Sequence, residues 1–245
     1  LFLPFAGLFA RFVQRVVRDE EPDTAREDRA RYLDASLVQA PGLALDRVRM
    51  EMLHMGDRTL AMVDAILPAV LEGNRVDLAH VARQDDAIDR LHGEIVAYLG
   101  RVSQEPLTEA QTATLIRLLE AATDLENIGD VIETNLVASG HHRLSKGLAI
   151  SPATQQVIRA FHGEVRRALD TALTAVTQAS PDAAEIVVGM KAEINRMAEA
   201  AARHGVDRLV AQEPHRVPSY RLEMDVLGSL ERIYYFAKRI ARTAQ

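Results

Sequence analysis

Two acidic pairs carry most of the chemistry this chain can offer: Asp85 with Asp89, and Glu126 with Asp130. Each pair is spaced i,i+4, which on a helix sets the side chains about 40° apart, on one face. Like charges at that spacing oppose each other by only about 0.2–0.5 kcal/mol per pair. A solvated face tolerates that, so an ordinary water-washed surface is one reading. The other is a cation site, because carboxylate oxygens suit hard or borderline divalent cations and iron. The neighbouring residues make the second more credible than a lone pair would. Asp85 falls between Val81 and Ile88, at the edge of an apolar seam. From Leu118 to His142 there is no Lys or Arg, while Glu120, Asp124, Glu126, Asp130 and Glu133 are all present. On adjacent helices about 8–10 Å apart, the two pairs can converge on one divalent or ferric ion or a small cluster.

The elements that must position these residues are helices. Apolar residues recur at helical spacing through Leu45, Val48, Met52, Met55, Met62 and Ile66, which predicts a first helix over 43–72. A second, over 76–102, has the seam Val81, Ile88, Leu91, Ile95 and Val102. A third, over 108–138, runs through Leu115, Leu118, Ala122, Leu125, Ile132 and Leu136. The stretch SGHHRLSKGLAISP reads as a loop, and three more helices follow at about 152–179, 181–211 and 218–243. The second three repeat the first. DDAIDRL (85–91) aligns with KAEINRM (191–197), and DLENIGD (124–130) with SLERIYY (229–235). Gln104-Glu105-Pro106 recurs as Gln212-Glu213-Pro214. The common order and spacing point to duplication, and the short connections to antiparallel neighbours. The expected fold is all-α: two antiparallel three-helix bundles, at 43–140 and 150–245, sharing part of a core.

Composition narrows the function. Lys and Arg number 29 against 35 Asp and Glu, a formal charge of −6, which argues against a nucleic-acid surface. Without cysteine there is neither disulfide nor thiolate zinc site. The opening LFLPFAGLFARFVQRVVR places ten mostly apolar residues before Arg11, Arg15 and Arg18. Ten are too few to cross a bilayer, which takes about 20. Residues 1–18 therefore read as the cytoplasmic end of a membrane helix, as an amphipathic interfacial helix, or as a helix packed on the domain's own core. The charged, proline-broken stretch that follows makes 19–42 a linker.

Taken together, the D-x-x-x-D of the second helix and DLENIGD of the third resemble the phosphate-uptake regulator (PhoU) family, over about residues 43–243. That family carries paired (E/D)xxxD motifs and an LERIGD-type segment in each repeat. Here Asn127 stands where the family usually has Arg, and the second half keeps only Leu230-Glu231-Arg232-Ile233. The N-terminal stretch with RYLDASLVQAPGLALDR resembles the junction in bacterial sodium/phosphate cotransporters, where such a domain follows the last membrane helix. The resemblance implies a non-enzymatic regulatory domain of a sodium-dependent phosphate symporter, on the cytoplasmic side of the inner membrane, with the symporter's membrane domain as partner. A free-standing regulator that binds a phosphate transporter or sensor kinase is the alternative, and a di-metal carboxylate-bundle oxidase is a third reading from another class.

Other motifs are thinner. Glu51-Met52-Leu53-His54 is an ExxH, the spacing of di-iron carboxylate bundles, but such sites use two copies, and Asp77-Leu78-Ala79-His80 is the nearest substitute. His54 and His92 are candidates to supplement a carboxylate site, or ordinary solvent-facing histidines. Tyr234-Tyr235-Phe236 fills core, or docks a second subunit in a homodimer or the membrane domain. Lys191 and Asn195 stand opposite Asp85 and Asp89, so any metal is expected in the first half alone.

Overall fold

The computed structural model describes residues 29–209 and 216–244. The expected membrane-associated helix over 1–18 lies outside the described residues. Among those described, no helix is long and apolar enough to cross a membrane.

Among the described residues the regular structure is all helical. Its first long helix, α1, spans Pro41–Leu71, with Pro41 in the first turn, where a missing N–H is harmless. Asn74 caps α2 (Arg75–Val102) through a capping box with Asp77. Thr108 and Gln111 form the same device at α3 (Glu109–Asp130). A π-helical turn, Val131–Leu136, then passes without a break into α4 (Val137–Lys146). The second half consists of α5 (Pro152–Thr177), α6 (Pro181–Gly189), α7 (Lys191–Leu209) and α8 (Arg216–Arg242). Every seam residue predicted for the first three helices is buried.

The two halves pack through paired helices. Antiparallel α1 and α5 meet where His162 Nε2 donates to the Val63 carbonyl at 2.8 Å and Arg166 pairs with Asp64 at 3.0 Å. A Cβ on Gly56 would stand 2.4 Å from Leu173 Cδ2, so this glycine sets how closely the two helices approach. Antiparallel α3 and α8 are joined by Arg239 and Asp124 at 3.2 Å. Buried apolar residues from both halves form one continuous core.

Three expectations change. The third helix does not stop at 138: much of the expected loop is α4, because a Cβ-less Gly140 lets that segment lie against Leu78 and Arg143 donates to the Gly73 carbonyl. Gly147, at φ +60°, ends it. The fifth expected helix is interrupted at Met190, between α6 and α7. Residues 29–40, read as linker, lie against the bundle. Glu51, buried in α1, accepts the backbone N–H groups of Arg31 and Tyr32 at 2.8 and 2.7 Å. Glu94 accepts that of Ala30, and Tyr98 Oη donates to the Asp34 carbonyl.

Candidate functional site

Asp85 and Asp89 project from α2 toward the C-terminal end of α3. Carboxylate oxygens of Asp85, Asp89 and Asp130 all lie within 4.8 Å of one another. The convergence depends on Gly129: a Cβ there would fall 2.2 Å from Asp85 Oδ1 and 3.4 Å from Ile88 Cδ1. Glycine thus opens the gap into which Asp85 reaches, and the Asp85 side chain is buried there, 6% exposed.

The electrostatics are uncompensated. Burial first, then the charges of Asp89, Asp130, Glu133 and Glu126, push the Asp85 carboxyl up to about 7. Asp89 is raised by burial and by Asp130 and Asp86, with a partial offset from His92. Glu126 is raised by burial, Asp130 and Asp89. Asp85 Oδ1 is buried without a hydrogen-bond partner, a costly state for a carboxylate oxygen. An orphaned oxygen among crowded carboxylates is a donor set that fits a hard or borderline cation.

Of the four residues expected at the site, three come together. Glu126 sits alongside, coupled to Asp130 and Asp89, but it does not join the converging set. Glu133, half-buried on the π-helical turn, adds to the field at Asp85. The acidic run on the third helix had hinted at that residue without assigning it. Asn127 folds back on its own helix, Nδ2 donating to the Thr123 carbonyl at 2.6 Å. Asp124 faces the opposite way, toward α8. Burial outweighs its partner Arg239 and lifts it to about 6.

The lone ExxH motif has another role. Glu51 receives two backbone N–H groups and His54 Nδ1, at 2.8 Å, so its oxygens already serve the 29–40 segment. Asp77 is held in the α2 capping box. His92 Nε2 lies 3.4 Å from Thr123 Oγ1, and burial lowers its pKa.

The second half is closed at the equivalent place. Tyr234 occupies the position of Gly129, its ring buried at 4% exposure and its hydroxyl donating to the Val187 carbonyl at 3.0 Å. Lys238 Nζ lies 5.7 Å from the ring centre. Burial, Arg242 and Lys191 hold that lysine below its ordinary pKa, a cationic environment where the first half is acidic. The same burial corrects the docking expectation for the aromatic run. Tyr234 and Phe236 are core residues, and only Tyr235, 49% exposed, faces outward.

This is a two-repeat helical bundle with an acidic site in its first repeat. Residues 52–135 match the family model of the PhoU domain, and the chain carries a PhoU-like domain. PhoU from Pseudomonas aeruginosa superposes with a TM-score of 0.74 at 23% identity, over 82% of this chain and 94% of that one. The phosphate transport system regulatory protein PhoU from Streptococcus pneumoniae gives 0.73 at 17%, over 83% and 94%. Proteins named "Putative inorganic phosphate export protein YjbB" from Salmonella typhimurium and Escherichia coli are each 25% identical, over 94% and 95% of this chain respectively. The chain spans 42% of the length of these curated relatives.

Proposed function

We propose that this chain is a non-enzymatic regulatory module of phosphate transport and homeostasis, acting on the cytoplasmic side of the inner membrane by binding a phosphate transport protein. The observation that carries this reading is the PhoU match over residues 52–135, which spans the helices that build the acidic site. A regulator that docks on a transporter or sensor kinase is supported better than a domain of a sodium-coupled symporter. The relatives are named for phosphate export, and none of their names refers to sodium. Because they are more than twice as long as the matched region, a transport domain on the same polypeptide is the second reading.

In this account Asp85, Asp89 and Asp130, with Glu126 alongside, hold one divalent or ferric cation. The ion supplies positive charge to a set of carboxylates that otherwise repel one another, fixing the register of α2 against α3. Elemental analysis after purification without chelator is expected to find one metal equivalent, lost in the Asp89→Ala, Asp130→Ala double variant. Full retention in that variant, or metal held by Lys191, Asn195 and Tyr235 of the second half, rejects the assignment. For the partner, the purified chain is expected to bind membranes from cells that make the host's phosphate transport protein and not membranes from cells lacking it. Equal binding to both counts against docking on that protein.

A further inference from the structure

We propose that the groove between the two repeats, where the π-helical turn and α4 face α8, is a binding site for a small phosphorylated compound. This goes beyond the regulatory reading and stands on different residues from the acidic site.

The groove holds about 490 Å³ and is lined from both halves. Its first wall starts on the π-helical turn that directly follows Asp130. Such turns are rare and concentrate at functional sites. Its second wall is α8, where Gly228 stands in mid-helix. A Cβ at Gly228 would meet nothing within 4 Å, so packing does not require the glycine, and Ala is the better helix former there. What the missing side chain does is leave the groove open.

The lining chemistry selects the ligand. Arg232, on α8, makes no ion pair among the described residues, and its guanidinium rests 5.9 Å from the Phe236 ring centre. Its planar fork of donors matches phosphoryl oxygens. Across the groove, the His142 ring and the Ser139 hydroxyl have no hydrogen-bond partner among the described residues, and Asn135 adds a side-chain amide. Asp225 also lines the groove and, like Arg232, has no ion-pair partner among the described residues. A carboxylate beside an anion site can only accept a hydrogen bond, so the ligand must carry an O–H to donate. Monohydrogen phosphate and hydroxyl-bearing phosphate esters satisfy Arg232 and Asp225 together, whereas sulfate has no proton to give. The volume exceeds a bare phosphate ion and suits a small organic ligand, with Leu222 and Met224 offering apolar surface.

Calorimetric titration of the full 245-residue chain, in chelator so that metal-bound phosphate plays no part, distinguishes the sources. AMP, inorganic phosphate and sulfate are the probes. Saturable AMP binding at least roughly tenfold tighter than phosphate assigns the site to phosphate esters, and comparable binding assigns it to the free ion. In either case sulfate is expected to bind at least about tenfold more weakly. Removing one charge-assisted contact is worth about tenfold or more, so Arg232→Gln is expected to weaken binding by at least that factor. Gly228→Leu is expected to abolish it while the melting temperature holds. No binding of AMP or phosphate at millimolar concentration overturns the proposal, as does sulfate binding as tightly as phosphate. Unchanged affinity in both variants overturns it too. Because no transport protein is present, failure here leaves the regulatory reading intact.

Discussion

Replacing Asp85 with Asn separates a carboxylate kept for a ligand from one kept for the fold. The folded chain raises this group from 3.8 to about 7, so the unfolded chain holds its proton less tightly. The contribution of Asp85 to stability is therefore fully present below pH 3.8 and is lost as pH rises through about 7. At about 1.36 kcal/mol per pH unit, the displacement corresponds to about 4 kcal/mol as a ceiling. Asn cannot ionise but still buries a polar group, so the expected gain in chelator above pH 8 is about 2–4 kcal/mol, and near zero below pH 4. For a chain of this length that is a rise in melting temperature of about 4–16 °C. Added cation reverses the ranking: it is expected to raise the melting temperature of the native chain and not that of the variant. Thermal unfolding at pH 4 and pH 8, with and without manganese, reads all four cases. If Asp85→Asn destabilises the chelated protein at pH 8, the carboxylate serves the fold and the reasoning about its repulsion fails.

Removing Glu51 leaves two backbone N–H groups and His54 Nδ1 without their acceptor, so Glu51→Ala is expected to lower stability by about 3 kcal/mol in urea unfolding. It should also make residues 29–40 cleavable by protease, whereas a variant as resistant as the native chain would show that Tyr98 and Glu94 suffice. Tyr234→Phe loses one hydroxyl bond to Val187 and is expected to cost about 1 kcal/mol, against about 3–5 kcal/mol for Tyr234→Ala, which empties the gap beside Val187. Equal effects in the two variants, measured by the same unfolding assay, would mean the ring does not fill that gap.

Much of the fold was legible because burial follows the helical period. The seam residues running from Leu45 to Ile66, from Val81 to Val102 and from Leu115 to Leu136 all point into the core, as their spacing requires. The acidic convergence was half legible. The i,i+4 spacing put each pair on one face, but only the missing Cβ of Gly129 brings Asp85 within reach of Asp130. Glycine looks the same in sequence whether it ends a helix or lets two helices touch, and Gly140 misled for that reason, making a packed helix read as a loop. The π-helical turn after Asp130 left no periodic signal, because one turn shifts the register too little to see. The ExxH at Glu51 matched a metal spacing, yet its acceptors were taken by backbone N–H groups that a one-dimensional pattern does not reveal.

Phosphate flux in living cells tests the central claim most directly. Radiolabelled phosphate uptake and efflux are measured in host cells deleted for this chain, and again after restoring the native chain or the Asp85→Asn variant at matched abundance. If the chain regulates phosphate transport through its acidic site, deletion alters the flux, the native chain restores it and the variant does not. Flux identical in the undeleted parent, the deletion and both restored strains, with the host's phosphate transport protein present at the same level, contradicts the account.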